Sequence, residues 1–252
     1  MELINGDCLQ ELKKLKDKSI DFVYLDLPFG CTACHWDVPL DLTALWVELK
    51  RIAKNDRTPF FFSCTTKFGF ELFNNSPKGY FRWDLVWEKN RGAGFLNAYK
   101  LPMRKHEMVY CFAKKTPEYD VSSHKEFVEE KLPNRIQNDI YGEVPNVSRK
   151  RHKDPLPTSI LPELDIPSSW CKYKLDSGIN HRTAKPVKLM EFLLKYWTKE
   201  GDTVLDPTAG SGSMGIACKN MNRKFILIEK DPDIFKIMTD RIENHKVKPS
   251  IV

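Results

Sequence analysis

The stretch Thr203-Val204-Leu205-Asp206-Pro207-Thr208-Ala209-Gly210-Ser211-Gly212-Ser213 decides the fold. Its first three residues form a brief apolar strand, and the Pro- and Gly-containing run behind them reads as a loop. A helix is predicted from Met214 to Met221, and Phe225-Ile226-Leu227-Ile228 is a second buried strand, ending on Glu229. Strand, Gly-rich turn, helix, strand is the unit that builds parallel sheets covered by helices. Such a turn lets backbone amides approach a ligand, and an acid at the end of the next strand can hold ribose hydroxyls. Gly210, Gly212 and Glu229 stand where those roles fall.

Working back along the chain, Glu2 to Asn5 is a strand candidate, and Leu9, Leu12 and Leu15 give a helix from about Cys8 to Lys16. Ile20 to Leu25 is a strand, Leu42 to Lys54 a helix, and Pro59 to Cys64 another buried strand. Phe81–Glu88 and Glu107–Ala113 are expected to form an antiparallel pair at the sheet edge, joined by a loop centred on Arg91-Gly92-Ala93-Gly94. After Pro186 a helix runs to about Lys199, and Pro232 opens the last one. Asp26-Leu27-Pro28-Phe29 follows the strand at 20–25, placing a carboxylate, a stiff backbone and a flat apolar face where open α/β sheets bind ligands. By itself this tetrapeptide is equally a Pro-containing turn.

The chain has 252 residues, with 41% hydrophobic and 29% charged, which is the composition of an ordinary soluble globular protein. No apolar run approaches the ~20 residues of a membrane span and no export signal is recognisable, so an intracellular, cytoplasmic protein is expected, at the nucleoid if prokaryotic. Cys31-Thr32-Ala33-Cys34-His35 matches a haem-attachment pattern, but that chemistry needs export, and no second cysteine pair at ligand spacing follows; no metal is expected.

The formal charge of +6 permits a polyanionic partner. The excess is local, in Arg149-Lys150-Arg151-His152-Lys153, which is either a solvated loop or a polyanion contact. That run lies within 114–180, a loop-rich stretch rich in proline and thin in apolar residues that reads either as an inserted functional lobe or as a partly disordered segment. Asp206 would repel a pyrophosphate but suits a ligand carrying an amino group or a sulfonium. S-adenosylmethionine has both.

Three blocks carry a resemblance to the beta-class S-adenosylmethionine-dependent amino-methyltransferases, the DNA adenine-N6 and cytosine-N4 methyltransferase family. Asp206 to Ser213 resembles the family's cofactor loop Asp-Pro-Phe-x-Gly-Ser-Gly, Asp26 to Phe29 its catalytic Asp-Pro-Pro-Tyr, and His181-Arg182-Thr183-Ala184-Lys185-Pro186 its His-x-Thr-x-Lys-Pro. Catalytic block first and cofactor loop last is the family's beta-class order. The resemblance implies a class I, Rossmann-like α/β fold in permuted order: a seven-stranded mixed sheet with helices on both faces and its last strand antiparallel. Residues 1–113 and 181–252 would form the catalytic domain, and 114–180 an inserted target-recognition region.

The same resemblance implies catalytic roles for Asp26, Leu27, Pro28 and Phe29. The cofactor, with S-adenosylhomocysteine as product, would be held by Asp7, His181, Thr183, Lys185, Asp206, Thr208, Ala209, Gly210, Ser211, Gly212, Ser213, Glu229 and Lys230. Asp7 is equally well a turn residue after Gly6. The implied partner is double-stranded DNA with the target base flipped, contacted by Arg91, Arg149, Lys150, Arg151 and Lys153; a homodimer is compatible with it, and a restriction-modification setting is one of several. Asp26 where cytosine enzymes have serine favours adenine. Leu27 departs from the family's proline, and its side chain is expected to be a bystander while its carbonyl participates. Cytosine-N4 or RNA methylation, a silent methyltransferase-like binding subunit and a nicotinamide oxidoreductase are the rivals.

Overall fold

The structure is a computed structural model that describes residues 1–28, 30, 39–94, 98–124, 127–130, 136–138, 142–144, 149–152, 157–161 and 184–247, the side chains of 90, 91 and 127–152 excepted. In chain order the described elements are β1 (Glu2–Asn5), α1 (Cys8–Leu12), β2 (Phe22–Leu25), α2 (Leu42–Ile52), β3 (Phe60–Cys64), α3 (Thr66–Asn75), β4 (Phe81–Ala93) and β5 (Arg104–Phe112). Short strands β6 (Phe127–Glu130), β7 (Ile136–Asn138), β8 (Gly142–Val144), β9 (Arg149–His152) and β10 (Ile160–Leu161) follow. The chain closes with α4 (Val187–Trp197), β11 (Thr203–Asp206), α5 (Ser213–Asn220), β12 (Lys224–Glu229) and α6 (Pro232–Glu243).

The main sheet has the order β1-β12-β11-β2-β3-β5-β4-β10 among the described residues. The strands from β1 to β3 pair in parallel, whereas β5 is antiparallel to both β3 and β4. This is the mixed α/β sheet expected, with one strand more: the two-residue β10 pairs with β4. Side chains alternate across the sheet with period two. Phe22, Tyr24, Phe61, Val109, Val204, Phe225 and Leu227 face a core closed by α4, α5 and α6 through residues such as Leu193, Met214 and Met238. Val23, Leu25, Phe60, Phe62, Phe112, Leu205 and Ile228 face the opposite core, closed by α1, α2 and α3 through Leu12, Trp46 and Leu72. Both faces are therefore apolar, which is why these strands read as continuous hydrophobic runs. No described helix is long and apolar enough to cross a membrane.

Local chemistry sets the helix starts. The Asp41 carboxylate accepts the Ala44 N–H at 3.0 Å, and Thr65 Oγ1 accepts the Phe68 N–H at 3.3 Å. Asp231 accepts the N–H groups of Asp233 and Ile234, with Pro232 at the first helical position.

Three expectations need correction. The helix α3 was not anticipated: its Gly69 and its aromatic run Phe68, Phe70 and Phe73 blur the helical period, and Phe70 points to solvent. Arg91-Gly92-Ala93 is not a loop but the end of β4, after a register shift between Glu88 and Ala93. The basic run Arg149–His152 is strand β9, antiparallel to the acidic β6, with Lys150 opposite Glu129 and Arg149 opposite Glu130; Lys153 lies outside the described residues. The chain forms two compact units, 1–118 with 159–252, and 119–158. The second holds the pairs β6–β9 and β7–β8.

Gly212 joins the Gly-rich loop to α5 at φ +78°, and a Cβ there would lie 2.7 Å from Met238 Cγ and 3.0 Å from Ile242 Cδ1. Both the backbone region and the close approach of α6 demand glycine. Gly212→Ala should lower stability by roughly 2–4 kcal/mol in urea denaturation, and a loss under about 0.5 kcal/mol would contradict this packing.

Candidate active site

Strands β1, β12, β11 and β2 end together on one edge of the sheet. From β11 the chain passes through α5 to β12 on one side, and from β2 through α2 to β3 on the other. The crevice between β11 and β2 is thus where strand order reverses, the place where open α/β sheets take ligands. Two blocks 182 residues apart in sequence meet there: the Asp26 N–H donates to Thr208 Oγ1 at 3.3 Å.

The loop after β11 is held from within. Asp206 accepts the Thr208 N–H at 3.1 Å, and Ala209 N–H donates to the Ile228 carbonyl at 2.9 Å. Glu229 accepts Gly210 N–H at 2.8 Å on one oxygen and Asp231 N–H at 2.9 Å on the other. The buried guanidinium of Arg241 binds the Ser211 carbonyl at 2.7 Å, Ser211 Oγ at 3.0 Å and Ser213 Oγ at 3.3 Å. The hydroxyls of Ser211 and Ser213, expected on the ligand side, are thus engaged in shaping the loop from behind. At the rim, Asp7 caps α1 through Leu9 N–H and lies 3.2 Å from the exposed Lys230 ammonium. Asn5 ties this corner down by donating to the carbonyls of Glu229 and Lys230.

The third sequence block enters through Lys185, just ahead of α4. Its ammonium lies 2.5 Å from Asp26 Oδ2 and 3.5 Å from Glu107 Oε2, while Lys89 lies 2.5 Å from Glu107 Oε1. From sequence Lys185 is expected to hold the cofactor; its ion pairs are instead with the carboxylate at the end of β2 and with Glu107. Glu107 and Lys89 escaped the sequence reading. Both continue apolar faces: Glu107 extends the inward series of Val109 and Cys111, and Lys89 that of Leu85 and Trp87, lying over the Trp87 ring. A charge on the buried face of a strand was the available signal.

Burial dominates the electrostatics. It pushes the Asp26 carboxyl up despite the opposing Lys185 ammonium. For Glu107 burial also acts upward, but Lys185 and Lys89 outweigh it and hold the carboxyl below its usual range. Lys185 is held above the usual lysine range because Asp26 and Glu107 outweigh its desolvation. Asp206, 3% exposed, is pushed up to about 8 by burial, with the Thr208 amide opposing and the charges of Asp26 and Glu229 adding. Glu229 is raised by burial against the pull of the Asp231 and Gly210 amides.

Leu27 departs from expectation. Its side chain is 3% exposed and belongs to the apolar cluster that includes Leu25, Leu205 and Ile228. It anchors the turn rather than standing by. Phe29, His181, Thr183 and the Cys31–His35 pattern lie outside the described residues, as does the Arg91 side chain. Among the described residues no group of His, Cys, Asp and Glu is arranged to hold a metal.

Asp206 makes a stability prediction with a definite sign. Its pKa is about 8 in the fold, against 3.8 for a free side chain. Between those values the unfolded chain releases a proton that the folded chain retains, so stability falls as pH rises from about 4 to about 8. Asp206→Asn should raise the melting temperature at pH 8, by on the order of a few kcal/mol of stability, and much less at pH 4. An unchanged or lower melting temperature at pH 8 would refute the buried-acid assignment.

A family model described as DNA methylase, of the N6/N4 type, matches residues 20–240. The DNA adenine methyltransferase YhdJ of Escherichia coli K12 is 25% identical over 250 residues, which cover 96% of this chain and 82% of that one. Among solved structures, M1.HpyAVI in complex with SAM superposes with a TM-score of 0.61 at 22% identity, over 96% of this chain and 98% of that one. The cytosine-N4-specific PvuII DNA methyltransferase gives a TM-score of 0.69 at 18% identity, over 97% and 86%. At those identities the structural likeness speaks for the fold.

Proposed function

This chain belongs to the N6/N4 DNA methylase family, and from that membership we propose that it transfers a methyl group from S-adenosylmethionine to the N6 amine of adenine in DNA. The observation that carries the proposal is the junction of Asp26 with Thr208 across the β2–β11 crevice, with Lys185 closing it. Adenine rather than cytosine is favoured by the carboxylate at position 26. The full-length likeness to a protein named as an adenine methyltransferase supports the same choice.

The crevice fits the cofactor. Asp26, Asp206 and Glu229 gather there with the Lys185 ammonium already committed to Asp26, which leaves acidic groups for a cation to balance. Each Glu229 oxygen accepts one amide and retains a lone pair for a ribose hydroxyl. Asp206, the 208–212 loop, Glu229 and Asp7 would hold S-adenosylmethionine, with His181 and Thr183 contributing. When bound, it supplies a methyl group on a sulfonium, which leaves its bonding electron pair on sulfur.

The rest of the work falls to Asp26 and Leu27. The lone pair of an adenine amine is delocalised into the ring, so the site must localise it. Lys185 occupies Asp26 Oδ2, which leaves Oδ1 to accept one N–H; the Leu27 carbonyl accepts the other. Both acceptors gain strength as positive charge grows on nitrogen, and so favour the transition state over the ground state. The surplus proton then leaves through Asp26. Pro28 keeps Leu27 extended, its buried side chain fixes the turn from below, and Phe29 would stack on the base. A paired base cannot reach this crevice and must be flipped, at a few kcal/mol. Strand β9 with its arginines and lysine, and residues 114–180 around it, would read the duplex.

Incubation with methyl-labelled S-adenosylmethionine and unmethylated DNA, followed by nucleoside analysis, should give labelled N6-methyladenine, and Asp26→Ala should lower its yield by at least about 100-fold. Labelled N4-methylcytosine would replace the adenine assignment. No labelled nucleoside would end the proposal.

A further inference from the structure

Strands β4 and β5 do not stop at the edge of the sheet. The last residue of β3, Cys64, lies opposite Met108, so Arg104–Glu107 continue past it, paired with β4 alone. Glu107 pairs with Trp87, His106 with Glu88 and Arg104 with Ala93, and the extra β4 residues between Glu88 and Ala93 form a bulge that bends the ribbon. At about 3.4 Å per residue, Arg104 stands roughly 13 Å beyond Met108. This overhang is on the edge that carries Asp26, since β2 and β3 run in parallel, with Leu25 opposite Phe62. Its root is tied to the site: Glu107 and Lys89 are the outer members of the chain of ion pairs that reaches Asp26 through Lys185.

The end of the ribbon has an unusual surface. Tyr99 is 104% exposed, Leu101 64% and Met103 51%, three large apolar side chains within five residues of chain. Scattered exposed apolar residues are ordinary, but a cluster on a projecting tip marks a contact. Between them and behind them stand Lys100, Arg104, Lys105 and His106, with no acid from 98 to 106. Lys105 is engaged with Glu88 at 3.0 Å, while Lys100 and Arg104 are exposed. Met103 packs close to Gly92, where an added Cβ would lie 2.9 Å from Met103 Cβ.

We propose that this ribbon tip enters the duplex, with Tyr99, Leu101 and Met103 wedging between stacked bases beside the target and Lys100 and Arg104 meeting the flanking phosphates. The proposal rests on the DNA-methyltransferase reading of the Asp26 site and gives that site its means of opening the duplex. Apolar wedges with basic flanks are how proteins unstack a base step. An overhang of roughly 13 Å exceeds the ~8 Å depth of a DNA groove. The exposed cations Lys100 and Arg104 beside these apolar side chains suit a phosphate backbone rather than an apolar protein surface.

The test compares intact duplex DNA with the same DNA after heat denaturation, where no base needs to be unpaired. In the triple variant Tyr99→Ala, Leu101→Ala and Met103→Ala, the methylation rate on duplex should fall at least about tenfold, and on denatured DNA less than about threefold, with S-adenosylmethionine binding unchanged. Lys100→Ala with Arg104→Ala should reduce the salt slope of duplex binding by about 1–2. Equal losses on both substrates, an undiminished duplex rate, an unchanged salt slope, or a triple variant that sediments as a smaller assembly than the parent would overturn the wedge. Failure of the parent protein on both DNA forms would overturn the methyltransferase reading itself, and the wedge with it.

Discussion

The ion pair between Lys185 and Asp26, at 2.5 Å, is the contact on which this structure turns. Parallel strands with both faces covered are apolar throughout, and their ends are poor places for charge. Here Asp26, Asp206 and Glu229 sit at the ends of adjacent strands. An uncompensated cluster of that kind would either take up protons or destabilise the fold. The Lys185 ammonium relieves one of the three, and Glu107 with Lys89 keeps the ammonium from adding an unbalanced positive charge. Among the described residues Asp206 has no such ion pair, and burial holds its pKa up at about 8. A cation placed beside Asp206 would favour its ionised form, which is why a buried acid at this position suits a sulfonium.

Topology supplies the geometry at little expense. Reversal of strand order between β11 and β2 opens the crevice, and the Asp26–Thr208 hydrogen bond locks its two walls in register. Behind the Gly-rich loop, Arg241 and the close approach of α6 to Gly212 hold the backbone in shape. The loop is therefore stiff before any ligand arrives, and stiffness of this kind lowers the ordering cost of binding.

Much of this could be read from residues alone. The strand–loop–helix–strand unit at 203–229 and the acids closing its strands follow from local pattern, since periodicity and turn residues are local properties. What could not be read was whatever depends on distant partners. Lys185 sits in a block that looked like part of the cofactor site, and its contact with a carboxylate 159 residues away is visible only in the fold. Glu107 reads as an ordinary strand residue and Lys89 as part of the connecting loop, because nothing local says that β4 runs on to Ala93 or that the apolar face they share ends in a polar crevice. Leu27 looked dispensable because a residue's burial is decided by what packs on it. The basic run at Arg149–His152 carries no strand pattern of its own and is a strand through its pairing with β6.

Lys185 and Glu107 act on Asp26 through charge. The acid limb of kcat/KM reports the ionisation of the free enzyme's essential carboxylate. Lys185→Met removes the stabilising cation and should move that limb to higher pH, while Glu107→Gln removes a neighbouring negative charge and should move it to lower pH. Groups that merely support the fold would lower the rate without displacing the limb. Opposite displacements are the result expected from this charge network; limbs that stay in place, or that move in the same direction, would contradict it.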